Sequence, residues 1–565
     1  MFLVLLSALL ASRWLFKPGY FMMHDDLQMM RQLEMEKCWK DGQIPCRWVP
    51  DMGFGYGFPL FNFYPPLPYY LGQVFRLLKF SFVDTSKALF ALQFFLSGAA
   101  MFILASDLWG MWGGLISAVF YIWAPYHSVD VFVRGAMNEA WAFIWFPLIF
   151  WSIKKLIEKE KLRYLKWLAF SVAMQMLTHS VMVMIFIPVA LVWTLYWMIV
   201  YKKFSWQNRR LFLKFLLAGV WALGLAAFFT LPMIIEKKFT HIETMFSGYF
   251  DWRAHFVSFY QLFISRFWGY GPSLWQLADG MPFPVGHIHW MLALIIVFMV
   301  FWKKIRKINT SYFILHTSYL VFGLFAFGLG YAFLAHQRSV FIWLLVKPLQ
   351  LAQFPWRLLA GVVFCFSLLA GAAAKVFKRK FVYLFLIAVV IIFNWNYFKP
   401  GWMGPLSDEE KFSGKAWEFQ QTAGIYDYLP ATAPKAPIFA PVSDYEILEG
   451  SAENVWTRKG TNWFEWNGEV LKEGKLMISI LYFPGWKVWV NGEKLRNVET
   501  DRELGRMIVN LPEGQQKIYF RFTNTPARSW ANLISLLSWW CLFLAVFGKK
   551  FCFERSNIKN KKLND

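Results

Sequence analysis

The stretch Met22-Met23-His24-Asp25-Asp26 directly follows the first hydrophobic segment of the chain, residues 2–16, which carries a single charge. Ionisable groups at the boundary of a membrane span are costly, so they mark candidate functional positions. The alternative is that Asp25 and Asp26 are solvated loop residues, or that they cap a short helix beginning at Leu27. The context along the rest of the chain favours the functional interpretation.

The composition is that of a polytopic membrane protein. Hydrophobic residues make up 58% of the chain and charged residues 16%, whereas about 25% of the residues of a soluble protein are charged. Apolar runs close to the ~20 residues that cross a bilayer recur along the chain. We therefore expect an α-helical membrane protein.

The net charge of +23 is concentrated in a few short segments. Together they hold 25 Lys and Arg against 3 Asp and Glu. These segments are Lys154–Lys166, Lys202–Lys214, Lys303–Lys307, Lys375–Lys380 and Lys549–Leu563. Basic residues in short loops are typical of the cytoplasmic side of a membrane protein. This distribution explains the charge without a nucleic-acid partner.

Twelve membrane spans are predicted from the apolar runs. They lie near residues 2–16, 88–106, 111–126, 139–153, 165–179, 181–200, 213–233, 288–302, 311–333, 357–374, 381–396 and 530–547. With both termini in the cytoplasm, all five basic segments fall on the cytoplasmic side. The loops 17–87, 127–138, 234–287, 334–356 and 397–529 then lie outside. The first span lacks the charged region that begins a signal peptide.

The first outer loop, residues 17–87, is rich in Gly, Pro and aromatic residues. Gly permits tight bends and Pro restricts φ, so we expect an ordered loop. Its aromatic residues, Tyr64 among them, suit a membrane interface, a sugar ring or a polyprenyl chain. Cys38 and Cys46 lie in this loop and could pair if it faces an oxidising compartment.

Further polar residues lie at the predicted outer ends of spans. Arg134 and Glu139 are five residues apart, so a direct helical ion pair is not implied. The alternative for both is an interface charge that points toward water. His179 lies in a predicted turn at the outer face. It is a candidate site residue, and the alternative is that it only forms a hydrogen bond within that turn.

The stretch Gln353-Phe354-Pro355-Trp356-Arg357 precedes another predicted span. Pro fits the first turn of a helix, which leaves Arg357 at the span entrance. A guanidinium group there can hold a phosphate through two parallel hydrogen bonds.

Residues 397–529 change in composition and form the largest predicted outer segment. Alternating apolar and polar residues predict strands at Leu476–Leu481, Trp486–Val490, Met507–Asn510 and Lys517–Phe522. The segment is therefore predicted to be a β-sandwich or jelly-roll-like domain. Two roles are possible for this domain: it binds carbohydrate, or it forms a structural lid over the active site.

Several of these motifs are shared with one group of membrane proteins. They are Asp41-Gly42 through Trp48-Val49-Pro50, Gly55-Tyr56-Gly57 through Pro65-Pro66-Leu67, Arg134-Gly135 with Asn138-Glu139, Gln353 to Arg357, and Tyr482 to Gly492. The chain resembles the bacterial membrane proteins labelled 6-pyruvoyl-tetrahydropterin-synthase-related, the YfhO-type proteins and the wider GT-C glycosyltransferase superfamily.

The resemblance implies a GT-C-like transmembrane domain over residues 1–396, an extracytoplasmic β-rich domain over 397–529, and a last helix with a basic tail over 530–565. It also implies a polyprenyl-phosphate-linked sugar donor and a catalytic base on the first outer loop. By position that base is Asp25 or Asp26. The sequence lacks an Asp-x-Asp motif, so no cofactor is firmly implied and a divalent metal is left open.

Two classes of function follow from these features. One is a glycosyltransferase acting on an envelope glycan, lipid or protein acceptor at the extracytoplasmic face. The other is a transporter or flippase of lipid-linked saccharides, which usually shows inverted repeats. No such repeat is evident in the sequence, and the clustering of polar residues in outer loops favours the enzyme.

Specific roles are expected for the candidate residues if the chain is an enzyme. Asp25 is expected to be the base, with His24 orienting it, while Asp26 caps the following helix. Arg357 and Arg134 are expected to bind the donor phosphate. Glu139, His179, Gln353 and Tyr64 complete the predicted substrate-binding set.

Overall fold

The computed structural model describes residues 1–274, 280–305 and 312–561. The predicted basic segments Lys303–Lys307 and Lys549–Leu563, and the start of the predicted span 311–333, lie partly outside the described residues. The described chain is mostly helical and carries a β-sheet domain near its C-terminus.

Nine helices in the described ranges are long and apolar enough to cross a membrane. They are Phe82–Trp109, Met137–Lys159, Ser180–Val200, Trp206–Phe239, His287–Ile305, Thr317–Ala335, Pro355–Val376, Lys380–Tyr397 and Pro526–Phe547. The pair Met111–Ile122 and Pro125–Val133, bent by 49°, would be a tenth.

The twelve predicted spans therefore exceed the number of helices that meet this criterion. Phe2–Ala11 is apolar but only 10 residues long, because the helix ends at Ser12, whose hydroxyl donates to the Ala8 carbonyl oxygen at 2.7 Å. Leu162–Thr178 is 17 residues long and carries Arg163 and Lys166 in its first turns. Both helices coincide with predicted spans, 2–16 and 165–179, and the predicted sidedness of the basic segments requires both of them to cross.

The two candidate spans most fully enclosed by the rest of the protein are Met137–Lys159 and Pro355–Val376. A helix that is apolar on all sides is stable when other helices surround it. Both begin near a predicted site residue, Glu139 in the first and Arg357 in the second. The centre of the helical body therefore positions these two side chains.

Shorter helices connect or cover these elements. They include Gln28–Lys40, Leu60–Phe63, Leu67–Leu77, Val340–Leu345, Asp408–Lys411 and Gly414–Thr422. Two residues of the first outer loop, Tyr20–Phe21 (β1), pair with Met403–Gly404 (β2). This pairing joins the first outer loop to the segment that leads into the C-terminal domain.

The C-terminal domain is a seven-stranded antiparallel sheet. Its strands are Tyr445–Lys459 (β3), Trp463–Leu481 (β4), Trp486–Val490 (β5), Glu493–Lys494 (β6), Glu499–Thr500 (β7), Arg506–Leu511 (β8) and Gly514–Phe522 (β9). Strand β4 is long enough to pair with β9 along its first half and with β8 along its second, while β3 follows its other edge. The predicted strands are confirmed. Alternation of side chains along β4 and β9 buries Phe464, Trp466, Ile518 and Phe520.

The first outer loop is ordered and packs directly against this sheet. Cys38 and Cys46 form a disulfide within the loop. The Trp48 ring lies edge-on to Trp486 and tilted against Phe522, with 5.4 Å between ring centroids in each case. The loop and the sheet therefore share one hydrophobic core.

Candidate functional site

All nine residues selected from the sequence line two adjoining cavities. The first, of about 550 Å³, is lined by His24, Asp25, Asp26, Arg134 and Arg357. The second, of about 450 Å³, is lined by Tyr64, Glu139, His179, Gln353 and the same two arginines. The cavities meet where Arg134 and Arg357 border both.

Asp25 is held by two side chains of the helix that follows it. Its Oδ2 atom accepts hydrogen bonds from Arg31 Nη1 at 2.8 Å and from Gln28 Nε2 at 3.2 Å. Its side chain is 35% exposed, so one side of the carboxylate remains accessible from the cavity. The Asp25 N–H also donates to the Arg134 carbonyl oxygen at 2.8 Å, which fixes this loop beside the arginine.

The expectation that His24 orients Asp25 is wrong. His24 Nε2 lies 3.0 Å from the carbonyl oxygen of Tyr270, on a different segment. Arg31 supplies the contact that was expected from the histidine, because one helical turn brings its guanidinium group back toward the carboxylate. His24 remains at the cavity wall as a neighbour of the site.

The expectation that Asp26 caps the following helix is also wrong. That helix begins at Gln28, and its N-cap residue is Leu27, with no side-chain cap. Asp26 instead forms an ion pair with Lys411 of the segment before the sheet. Burial raises the pKa of Asp26, and the positive charge of Lys411 opposes that rise. Asp26 thus joins the first outer loop to the C-terminal segment.

Glu139 lies at the centre of the basic cluster and is 1% exposed. Its Oε2 atom is 2.9 Å from Arg134 Nη2, 3.4 Å from Arg357 Nε and 4.0 Å from His179 Nε2. Helical spacing did not imply the Arg134–Glu139 pair. It forms because Gly135, with φ at +62°, turns the chain between the two residues, so they do not share one helix.

The two arginines are held on their buried sides and face the cavities on the other. Arg134 forms a second ion pair, with buried Asp130, and its guanidinium carbon lies 4.5 Å from the centroid of the Trp356 ring. Arg357 Nη1 donates to the Ala352 carbonyl and to Gln353 Oε1, both at 2.9 Å. Neither arginine is an outward-pointing interface charge.

The remaining predicted residues support this arrangement. Gln353 has φ at +61° and donates from Nε2 to the Met245 carbonyl oxygen at 2.7 Å. The centroid of the Tyr64 ring lies 4.1 Å from the guanidinium carbon of Arg31. His179 Nδ1 accepts from the Met182 N–H at 3.4 Å, so it is both a turn residue and a wall of the second cavity.

Asp427 was not predicted from the sequence, yet it lines both cavities. Burial raises its pKa to about 6, although the nearby Arg31 charge opposes the shift. It lies in a turn before the sheet, where its N–H donates to the Gly424 carbonyl oxygen at 3.0 Å. An acidic residue in a Gly- and Pro-containing linker has no pattern that distinguishes it from a solvated turn residue.

The two cavities differ in chemistry. The second has a largely apolar wall, formed by Val181, Met233, Ile234, Ile242, Met245, Phe246 and Leu351. Lys237 also lines it, with its side chain exposed. The first is lined by Asp25, Asp26 and Asp427, with the aromatic residues Tyr249, Phe419 and Tyr426. An apolar chamber thus adjoins one in which three aspartates lie with three arginines, Arg31, Arg134 and Arg357.

Across the described ranges, no group of three or more His, Cys, Asp or Glu residues lies close enough to hold a metal ion. Asp25 and Asp26 each face a cationic side chain.

Comparison with known proteins adds a limited similarity. No family model matches the chain. The chain is 25% identical over 221 residues to a protein of Lactococcus lactis subsp. cremoris (strain MG1363) named "Uncharacterized protein". The match covers 38% of this chain and 36% of that protein, so the chain spans about a third of its relative's length. The similarity identifies neither a family nor an activity.

Proposed function

We propose that the chain is a membrane glycosyltransferase of the GT-C type. In this proposal it transfers a sugar from a polyprenyl-phosphate-linked donor to an envelope glycan, lipid or protein acceptor at the extracytoplasmic face. The observation that carries the proposal is the junction of an apolar cavity and a cavity rich in charged residues at Arg134 and Arg357. A lipid-phosphate sugar has an apolar tail, an anionic link and a polar head in that order.

The apolar cavity is the donor side. Its Met, Ile and Leu side chains suit an isoprenoid chain, and the two arginines stand where the phosphate would lie. A guanidinium group presents several N–H donors in a planar fork that matches phosphate oxygens. Lys237 adds a further positive charge to the same wall.

The cavity lined by Asp25 is the acceptor side, with Asp25 as the base. An acceptor hydroxyl gives its proton to the Asp25 carboxylate while its oxygen forms a bond to the anomeric carbon. The bond from that carbon to the phosphate oxygen breaks, and the polyprenyl phosphate leaves with the electron pair. A positioned base contributes about 10²–10⁴ in rate. The arginines stabilise the negative charge on the leaving phosphate.

The proposed orientation places both termini in the cytoplasm and residues 397–529 outside an inner membrane. The basic segments support it, because such residues are typical of cytoplasmic loops. The Cys38–Cys46 disulfide supports it as well, since disulfides persist in oxidising compartments.

A lipid-linked-saccharide transporter or flippase is the second candidate. One observation favours it: the pair Met111–Ile122 and Pro125–Val133 is bent by 49°. Discontinuous helices often line transport sites. The enzyme remains preferred because a fixed carboxylate, Asp25, and two arginines line the same cavity.

The deciding experiment uses purified protein in detergent with polyprenyl-phosphate donors that carry glucose, galactose, mannose or N-acetylglucosamine. We expect sugar transfer by the wild type, and loss of transfer with retained donor binding in Asp25→Asn. Asp444→Asn, an exposed acid of the sheet domain, is the matched control and should transfer normally. Wild-type transfer by Asp25→Asn would remove Asp25 as the base. Flipping of donor in vesicles without transfer would favour the transporter.

A further inference from the structure

A third cleft lies on the C-terminal sheet, outside the site described above. It has a volume of about 570 Å³ and is lined by Glu465, Trp489, Asn491, Gly492, Lys517 and Tyr519. This volume is within the range of small-molecule binding sites, about 300–1,000 Å³. The cleft is therefore large enough to hold a small ligand.

The strand register places its central residues side by side. Glu465 of β4 is opposite Tyr519 of β9, and Tyr519 is opposite Trp489 of β5. Their neighbours along the strands, Phe464, Phe520 and Val488, are buried in the core. Because successive side chains alternate between faces, Glu465, Tyr519 and Trp489 project from the other face of the sheet.

Aromatic rings form a row across this outer face. The ring centroids of Trp489 and Tyr519 are 5.8 Å apart, and those of Tyr519 and Trp463 are 6.4 Å apart. All three side chains are partly exposed. At the end of the row, Trp463 Nε1 donates to Asp41 Oδ1 of the first outer loop at 3.2 Å.

Polar groups flank the row within the cleft. Lys517 Nζ lies 2.9 Å from Glu465 Oε1, and the Lys517 side chain is 57% exposed. The pair presents a hydrogen-bond donor beside an acceptor and carries no net charge. Neighbouring hydroxyl groups of a sugar both donate and accept hydrogen bonds, so they match this donor and acceptor. The Glu465 carboxylate would repel an anionic ligand.

The composition of the lining narrows the ligand class. None of its six residues has an aliphatic side chain, so an alkyl chain or an apolar peptide has no complementary pocket. Aromatic faces bind the C–H face of a pyranose ring, and the adjacent Lys–Glu pair suits its hydroxyl groups. We propose that this cleft binds the pyranose rings of a neutral glycan, stacked on Trp489 and Tyr519. The proposal does not depend on glycosyl transfer.

The test is saturation-transfer NMR on the full chain in detergent. The probes are neutral trisaccharides of glucose, galactose, mannose and N-acetylglucosamine. We expect the wild type to bind at least one of them. Trp489→Ala should weaken that binding by about tenfold, or about 1.4 kcal/mol. Trp489→Tyr keeps a ring and should retain most of the affinity.

Two control variants separate this cleft from the rest of the molecule. Trp456→Ala removes a partly exposed ring on β3, outside the cleft, and should bind as the wild type does. Asp444→Asn should also bind normally, since Asp444 lies outside the cleft and outside the proposed acceptor cavity. Absence of binding by the wild type, or equal binding by Trp489→Ala and Trp456→Ala, would overturn the proposal.

Discussion

The carboxylate of Asp25 lies 2.8 Å from the guanidinium group of Arg31, which is itself buried against the ring of Tyr64. The ion pair fixes one carboxylate oxygen and leaves the other available to the cavity. A base held in one orientation loses little entropy when it accepts a proton from the substrate. Arg31 is therefore a positioning residue in the proposed reaction.

Replacing Arg31 tests this relationship. We expect Arg31→Ala to lower kcat strongly, because the carboxylate loses its partner, while the KM for the donor changes little. Arg31→Lys retains the charge and should recover part of kcat. Steady-state kinetics with the polyprenyl-phosphate donor would measure both values. An effect on donor KM alone would instead place Arg31 in donor binding.

Arg357 is expected to bind the donor phosphate. Arg357→Lys keeps the positive charge but loses the planar fork, so transfer should fall sharply even in this variant. Arg357→Ala should weaken donor binding further. Rates and donor affinity are to be measured together. Wild-type transfer with unchanged donor affinity in Arg357→Ala would contradict the prediction.

The raised pKa of Asp427 predicts that the stability of the folded protein depends on pH. Its pKa is raised to about 6 in the folded protein, against about 3.9 in an unfolded chain. The folded state thus binds more protons between these values, and stability falls as pH rises from about 4 to about 6. Asn cannot ionise, so the Asp427→Asn variant does not lose stability over this pH range. It should therefore be more heat-stable than the wild type at pH 7.5.

The advantage of Asp427→Asn should shrink as pH falls below about 6 and disappear near pH 3, where the wild-type carboxyl group is protonated in both states. Thermal unfolding in detergent across this pH range would measure it. Asp444→Asn, which is outside the cavities, should show no such pH-dependent gain. A constant difference at all pH values would assign the effect to packing.

The Asp26–Lys411 ion pair should contribute to attachment of the C-terminal segment. Removal of Lys411 leaves the Asp26 carboxylate, whose side chain is 25% exposed, without its partner, and removal of Asp26 leaves the Lys411 ammonium group, whose side chain is 7% exposed. An unpaired charge at such a position is costly. We expect Asp26→Asn and Lys411→Met each to lower the unfolding temperature. The double variant should lose less than the sum of the two. Additive losses would show that the two groups do not interact.

The proposed orientation can be tested by labelling introduced cysteines with an impermeant thiol reagent. Lys435 of the C-terminal domain and Lys159 of a basic segment both have exposed side chains. Lys435→Cys should be labelled in intact cells, and Lys159→Cys only after permeabilisation. Labelling of Lys159→Cys in intact cells would contradict the predicted sidedness.

Local patterns in the sequence determined much of this protein. Long apolar runs located the helices, and side-chain alternation located four strands, because each depends on neighbours within a few residues. The same reasoning selected nine polar residues that line the cavities. Polar groups at the ends of apolar helices are costly unless they face other polar groups, so they tend to converge.

Tertiary structure alone decided the partners of those residues. Arg31, rather than His24, contacts the Asp25 carboxylate. Asp26 pairs with Lys411 instead of capping a helix. Asp427, which is about 400 residues away in sequence, lines the same cavity. Such contacts join residues that are distant in sequence, and they follow from how helices and sheet pack. Hydrophobic periodicity specifies which face of an element is buried, but it does not specify which element covers that face.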